Sequence, residues 1–319
     1  MILITQKKYE DLTIHKVNEH TRAYIKIQDG CNQFCSYCII PYTRGRIRSK
    51  NPEEVIEEVK NLAAQGYKEI VLTGIHLSSY GKDLGTVTLL DVIKRIQQVE
   101  DVERIRLGSL EPRIITEEFV KELVKCDKVC PHFHLSLQSG CDETLKRMNR
   151  KYTTEEYEEA LNILRKYYEH PALTTDVIAG FVGETEEEFE KTRAYLEKIN
   201  LYEMHIFKYS VREGTRAQKM SGHVPEQVKT ERSEVLLSMA KGTRQHLKNG
   251  MLEEKKSTFR RNCRENGKKY FQGYTAHYVK VAVELTENDT KLEQNEVIVV
   301  DIQGFIDENL LYGKVSIEF

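Results

Sequence analysis

Three cysteines, Cys31, Cys35 and Cys38, fall within eight residues of one another in the stretch Gln28-Asp29-Gly30-Cys31-Asn32-Gln33-Phe34-Cys35-Ser36-Tyr37-Cys38. Thiolate-only ligation suits iron–sulfur clusters and zinc. A structural zinc site is closed by four ligands, and no further Cys or His stands close enough in the sequence to be an obvious fourth. Three thiolates on a cubic cluster leave one iron without a protein ligand, and an open iron can bind and activate a small molecule. A zinc-stabilised loop and three small core residues are the alternatives to an iron–sulfur reading. Directly after the cysteines come Arg44, Arg46, Arg48 and Lys50. They are expected either to meet phosphates beside the site or to form a solvated charged face.

The segments around the cysteines must position them. Tyr24–Gln28 reads as a strand that delivers the cysteine loop. Helices are expected at Pro52–Gln65, Leu89–Val99, Glu117–Lys125, Thr154–Tyr168, Thr185–Ile199 and Pro225–Leu247. Each carries an apolar face at helical spacing, and the first opens on Pro and ends at Gly66. Between them lie short β-rich runs at Glu69–Thr73, Arg104–Leu107, His132–Leu137, Thr174–Gly180 and Met204–Tyr209. Six β-α repeats imply a parallel sheet with helices outside, either doubly wound or curled into a partial (β/α)6 barrel with functional loops at the carboxyl ends of its strands. The cysteine loop at the end of the first strand favours the partial barrel. After about Asn249 the pattern changes to five short alternating runs, as in a small antiparallel β-barrel. The expected organisation is therefore a leader at 1–20, a catalytic α/β domain at 21–248 and a β-barrel at 249–319.

Composition narrows the class. Lys plus Arg (48) nearly balances Asp plus Glu (50), a net charge of −2 that argues against wholesale nucleic-acid coating but leaves room for a local basic patch. No apolar run reaches the roughly 18 residues of a membrane span, and the apolar start is short for a signal peptide, so a cytoplasmic protein is expected. Seven cysteines, three of them clustered, do not resemble a disulfide framework. At the start of the C-terminal barrel Lys255, Lys256, Arg260 and Arg261 precede the aromatics Tyr270, Phe271, Tyr274 and Tyr278. Basic residues with aromatics on strands can grip looped RNA; core packing is an equal account of Phe271 and Tyr278.

With an aromatic, Tyr37, before the third Cys, the cysteine motif resembles the radical S-adenosylmethionine (SAM) superfamily. Further segments each follow a strand: Leu72-Thr73-Gly74-Ile75-His76, Ser109-Leu110-Glu111-Pro112, His134-Leu135-Ser136-Leu137-Gln138-Ser139-Gly140, Asp176-Val177-Ile178-Ala179-Gly180-Phe181-Val182-Gly183-Glu184-Thr185 and Tyr209-Ser210-Val211-Arg212-Glu213-Gly214-Thr215. Together they resemble the methylthiotransferases from about Thr21 to the C-terminus. The match is closest to the branch that methylthiolates threonylcarbamoyladenosine beside the tRNA anticodon, and the sister branches, acting on another tRNA adenosine or on a ribosomal protein, are the nearest alternatives. A non-enzymatic RNA-binding protein with a metal-stabilised loop is the alternative of another class.

The resemblance implies a [4Fe–4S] cluster on Cys31, Cys35 and Cys38, with SAM on its open iron. It implies SAM contacts from Thr73, Gly74, Gly180 and Gly183, with turn geometry the other reading. Tyr37 is placed to lean on the adenine or to pack the loop. The polar residues Ser109, Glu111, Ser136, Gln138 and Arg150 at strand ends are expected to bind SAM's ribose or carboxylate, or else to be solvated loop residues or helix caps. RNA contacts are expected from Arg44, Arg46 and Arg48 and from the basic start of a TRAM-like C-terminal barrel. The implied partners are a tRNA anticodon stem-loop, an electron donor such as flavodoxin or ferredoxin, and a sulfur source. Val182 stands where the family usually has Pro. In the family an N-terminal domain holds a second, auxiliary cluster on three cysteines; here about 20 residues precede the first strand, and none is Cys. The chain alone is thus expected to cleave SAM without methylthiolating RNA. Cys126, Cys130 and Cys141 read as separate buried thiols, and His76, His132, His134 and His205 as packed or solvated side chains.

Overall fold

The computed structural model describes Tyr9 and residues 22–250, 256–265, 268–284, 296–307 and 310–315, with side chains placed at all of these except 243–250, 256–265, 268 and 269. Apart from Tyr9, the expected leader lies outside the described residues.

The chain runs β1 (Arg22–Asp29), α1 (Ile40–Thr43), β2 (Arg48–Ser49), α2 (Pro52–Ala64), β3 (Glu69–Gly74), α3 (Leu89–Ile96), β4 (Arg104–Leu107), α4 (Glu117–Leu123), β5 (His132–His134), α5 (Asp142–Arg147), α6 (Thr154–Tyr167), β6 (Ala172–Ala179), α7 (Glu186–Ile199), β7 (Glu203–Lys208) and α8 (Glu226–Gly250). Helix starts follow local chemistry. Asn51 accepts a hydrogen bond from the Glu53 N–H with Pro52 in the first turn, and Thr88/Asp91, Thr153/Glu156 and Thr185/Glu188 form reciprocal caps. The short pieces α1, β2 and α5 lie within stretches that carry no helical or strand periodicity long enough to read.

Strands β1, β3 and β4 pair in parallel, with β2 antiparallel at the edge, and β5, β6 and β7 form a second parallel set. Parallel bridges Ile105↔Val129 and Leu110↔Leu135 join β4 to the β5 segment, so the six parallel strands make one sheet. Ala23, Ile25 and Ile27 of β1 and Leu173, Val177 and Ala179 of β6 pack with the helices in the main core. Alternation then turns Arg22, Tyr24, Lys26 and Gln28, and Thr174, Asp176 and Ile178, to the opposite face. Each fully buried Leu, Ile or Val on the helix side contributes about 1.5–3 kcal/mol. The sheet curls about its polar face, because loops from its two ends meet. The Ala217 N–H donates to the Ser36 carbonyl at 2.7 Å, and the Tyr37 and Phe181 rings lie 6.1 Å apart, edge to face. This is the expected partial (β/α)6 barrel.

The second unit comprises β8 (Lys256–Glu265), β9 (Lys268–Thr275), β10 (Lys280–Glu284), β11 (Val297–Asp307) and β12 (Leu310–Val315), closed in the order β10-β12-β11-β8-β9. Four pairings are antiparallel and β10·β12 is parallel. An odd number of strands in a ring cannot alternate direction throughout, so one parallel seam accompanies the expected antiparallel barrel. Phe271, Val281, Val283, Val300 and Leu311 fill it, and Ala172 and Tyr202 of the first unit join that cluster. The β9–β10 turn reaches into the polar face of the half-barrel. Arg104 donates to the Tyr274 carbonyl and Arg106 to that of Ala276, both at 3.0 Å, and Arg22 donates to the Tyr278 hydroxyl at 3.1 Å.

Candidate active site

The cysteine loop leaves β1 through Asp29 and Gly30, and these two residues fix its course. Gly30 has φ +71°, and a Cβ there would stand 1.8 Å from the Arg46 carbonyl oxygen, so only glycine lets the loop and the following segment approach so closely. The Asp29 carboxylate accepts from Arg44 at 3.1 and 2.7 Å, from Lys26 at 2.7 Å and from the Gly30 N–H at 2.7 Å. Burial works against its charge, but the Arg44, Lys26 and Gly30 hydrogen bonds hold its pKa at about 2. The Asn149 amide donates to the Phe34 carbonyl at 2.8 Å, and the Ser36 hydroxyl to the Arg147 carbonyl at 2.7 Å. The loop is thereby tied to the segment after α5.

Cys31 and Cys35 are buried and Cys38 is half-buried. Burial, helped by the neighbouring thiols, pushes Cys31 up to about 11 and raises Cys38 as well, so ligation here must displace protons. Among the described residues the trio of His, Cys, Asp or Glu whose ligand atoms all lie within 4.8 Å of one another is His134, Asp176 and His205, not the thiols. Sulfurs around one zinc sit about 4 Å apart at Zn–S distances of about 2.3 Å. The three thiols are not gathered as tightly as that trio, and a donor set of three thiolates suits a thiolate-bound cluster.

Polar side chains from the strand ends surround the loop. Gln28 donates to the Asp29 and Gly30 carbonyls and accepts from the His76 N–H, all at 2.7 Å. The Gln33 amide reaches Glu111 at 3.2 Å, and His76 Nε2 lies 3.4 Å from the same carboxylate. Burial opposes the charge of Glu111, yet the His76 contact and the nearby Arg150 keep its pKa below the ordinary range; its Oε1 is buried with no hydrogen-bond partner. Thr73 donates to the Ile25 carbonyl at 3.1 Å, and a Cβ at Gly74 would meet the Gln28 side chain at 2.9 Å. Arg150 donates to Cys35 Sγ at 3.3 Å. Gln138, at φ +73°, pairs through its backbone with Asp176 and Ile178, each at 2.9 Å. Strained backbone of this kind gathers at functional sites. Ser136 offers its carbonyl to Tyr152, whereas Ser109 is exposed.

Several expectations change. Arg48 is 2% exposed, donates to the carbonyls of Arg44 and Arg46, and lies 3.4 Å from Asp29. It braces the loop from inside and presents nothing to RNA. Lys50 is buried against Glu58 at 2.8 Å, and Arg44 is committed to Asp29. Of that basic run Arg46 is exposed, with its guanidinium 4.8 Å from the Phe34 ring centre, and Arg44 is half-exposed beside Asp29. Gly180 and Gly183 both have positive φ, and a Cβ there would meet Lys229 and Arg147, so turn geometry and packing also call for glycine at these positions. Phe271 and Tyr270 are barrel core, and Tyr278 sits between the two units, leaving none of the three to stack on a base. Lys255 lies outside the described residues, as do the side chains of Lys256, Arg260 and Arg261.

Histidine spacing in the sequence hid the convergence of His134, Asp176 and His205 on adjacent strands. His134 Nε2 lies 3.3 Å from Asp176, and the two histidine rings stack at 5.7 Å. Sequence reading also missed Asp29, Gln28, Gln33, His76 and Asn149. The Asp-Gly pair before Cys31 was the one local signal for them.

The family model described as the radical SAM superfamily matches residues 25–196, more than half of the chain. The chain is 42% identical over 292 residues to the threonylcarbamoyladenosine tRNA methylthiotransferase MtaB of Bacillus subtilis, covering 90% of this chain and 64% of that protein. It is 43% identical over 224 residues to the tRNA-2-methylthio-N(6)-dimethylallyladenosine synthase of Clostridium botulinum, covering 70% and 50%. The chain thus spans about half to two thirds of the length of these curated relatives. Among solved structures, the radical SAM methyltransferase TsrM of Kitasatospora setae superposes with a TM-score of 0.52 at 19% identity, over 61% of this chain and 38% of that one. The coproporphyrinogen III oxidase HemN of Escherichia coli superposes with a TM-score of 0.50 at 16% identity, over 70% and 53%. With its half-barrel, its C-x3-C-x2-C loop at the end of the first strand and this family match, the chain belongs to the radical SAM superfamily.

Proposed function

We propose that this chain is the catalytic and RNA-binding part of a tRNA methylthiotransferase that modifies threonylcarbamoyladenosine. The superfamily's cofactors are a [4Fe–4S] cluster and SAM. Cys31, Cys35 and Cys38 would hold the cluster, and their place in one loop at the end of β1, ringed by polar side chains from the neighbouring loops, is the observation that carries this reading. When bound, the two groups together supply a carbon radical able to take a hydrogen atom from an unactivated C–H bond.

The chain's own residues would hold SAM and keep water out. Thr73, Gly74, Glu111 and His76 present backbone carbonyls and a carboxylate where an ammonium group can bind. Tyr37, packed edge-on against Phe181, would cover the adenine side and shield the radical from solvent. Gln138 and Ser136 line the same mouth, as does Arg150. On the polar face below, His134, Asp176 and His205 offer donors and acceptors to a substrate side chain. A ureido group, whose N–H groups can donate to Asp176, fits such a polar surface better than a dimethylallyl group, which gains from an apolar pocket. The two kinds of relative are equally similar in identity, but the likeness to the B. subtilis enzyme runs through 90% of the chain against 70%.

Sulfur would come from a second component. Among the described residues Cys126, Cys130 and Cys141 are buried separately and form no ligand trio. The further partners proposed are a tRNA anticodon stem-loop and a flavodoxin- or ferredoxin-type electron donor, in the cytoplasm. No helix of the described residues is long and apolar enough to cross a membrane. Mass spectrometry of digested tRNA tests the reading. With SAM, reductant and a sulfur-donating auxiliary-cluster protein, tRNA bearing threonylcarbamoyladenosine should gain a methylthio group and tRNA bearing dimethylallyladenosine should not. Modification of the second substrate alone would assign the other branch.

A further inference from the structure

Arg150 follows α5, is half-buried, and is held by Tyr152 and by the Ser136 carbonyl, to which its Nη2 donates at 3.5 Å. Its Nε donates to the Tyr152 hydroxyl at 2.9 Å, and its guanidinium carbon lies 4.8 Å from the centre of the Tyr152 ring. Tyr152 is itself fixed, 4% exposed, with its hydroxyl donating to the Leu137 carbonyl at 2.8 Å. With its inner edge anchored in this way, Arg150 points Nη1 at Cys35 Sγ, 3.3 Å away. No other cation donates to any of the three thiols among the described residues. The positive charge is therefore aimed at one particular corner of the cysteine set.

We infer that Arg150 sets the reduction potential of the cluster by a charge-assisted N–H···S bond to the Cys35 thiolate. This goes beyond the proposed function and rests on the ligation by Cys31, Cys35 and Cys38. Reduction moves one electron from a low-potential reductant onto the cluster; the reductant is oxidised by one electron, and no bond forms or breaks. The added negative charge is stabilised by a nearby cation and by hydrogen bonds to ligand sulfur, which raises the potential. The guanidinium keeps its proton at any working pH, so the effect is permanent. Arg150 thus acts as a positioning residue on the electron-accepting step, with Tyr152 holding it in place.

The test is a potentiometric titration, followed by EPR, of the reconstituted full chain without SAM, with iron content measured alongside. Arg150→Met should shift the reduction equilibrium at fixed potential about tenfold toward the oxidised form, a fall of about 59 mV for one electron. Arg150→Lys, which keeps the charge and loses the planar fork, should recover part of it. An unchanged midpoint in Arg150→Met at full iron content, with only SAM affinity lost, would overturn the inference and leave Arg150 as a SAM contact. If Arg150→Met fails to retain iron, Tyr152→Phe decides. That variant removes the Nε anchor but keeps the ring, and its midpoint must fall as well; an unmoved midpoint overturns the proposal. Failure of the unsubstituted chain to take up iron would instead sink the ligation reading on which the inference rests.

Discussion

The guanidinium carbon of Arg106, on the inner face of the half-barrel, lies 4.9 Å from the centre of the Tyr278 ring in the β9–β10 turn of the second barrel. The same arginine donates to Glu69 and to the carbonyls of Thr275 and Ala276. Arg22 also faces Tyr278, at 5.0 Å, and Arg22, Arg104 and Arg106 share the single carboxylate of Glu69. Three buried cations with one anion are tolerable because turn carbonyls and an aromatic face complete their shells. The catalytic and C-terminal units are thus joined through charge that neither could bury alone.

Arg106→Ala removes the arginine with the most partners and leaves Glu69 and the turn carbonyls short of donors. It should cost about 3–5 kcal/mol, and Tyr278→Ala about 1–2 kcal/mol. Urea unfolding followed by circular dichroism checks both; a loss under about 0.5 kcal/mol for Arg106→Ala contradicts a structural role for the junction.

His132 stands beside this junction, its ring 5.3 Å from that of Tyr278 and its Nδ1 buried without a partner. Burial, reinforced by Arg106 and His134, holds its pKa well below the ordinary histidine value. The folded chain keeps it neutral, whereas the unfolded chain protonates it near pH 6.5. This contribution to stability is complete above about pH 6.5 and is lost as pH falls below it, by at most about 1.4 kcal/mol per pH unit. His132→Asn should flatten the stability curve between pH 5 and 7. An identical slope in the variant would assign the acid sensitivity to other groups.

Arg46 and Arg48 stand two residues apart and should behave differently. Arg46→Glu should weaken binding of an anticodon stem-loop and reduce the salt slope of that binding by about 1. Arg48→Ala should leave the slope unchanged and cost about 3 kcal/mol of stability, because it exposes part of the Asp29 charge to an unpaired interior. Filter binding over a salt series, beside thermal unfolding, separates the two; equal slopes in both variants would remove Arg46 from the RNA surface.

The contrast between those arginines marks the limit of the sequence. Periodicity locates the β-α repeats, because burial of one helix face and alternation along each strand leave a regular mark. The cysteine loop is legible because three thiols at that spacing have few other uses. Arg48 was expected outside because a basic run after a loop is usually solvated; it is inside because Asp29, just before the cysteines, needs cations. Gln33, His76 and Glu111 come from three separate loops, and only the curl of the sheet brings them together. Tyr278 meets Arg22 and Arg106 through a tertiary docking that no local pattern encodes.

Asp29→Asn keeps the size of the side chain but removes the charge that Arg44, Lys26 and Arg48 surround. The cysteine loop should loosen, and iron retained after reconstitution should fall severalfold while far-UV circular dichroism stays near that of the unsubstituted chain. Full iron retention in the variant would show that the loop holds its course without this carboxylate.

The central claim is that Cys31, Cys35 and Cys38 hold a cluster that cleaves SAM. The most direct measurement is anaerobic reconstitution of the chain and its three single Cys→Ala variants, with iron counted per chain and 5′-deoxyadenosine measured after addition of dithionite and SAM. The unsubstituted chain should bind about four irons and release 5′-deoxyadenosine, and each variant should lose that product. One zinc per chain with no 5′-deoxyadenosine, or product undiminished in any of the variants, would contradict it.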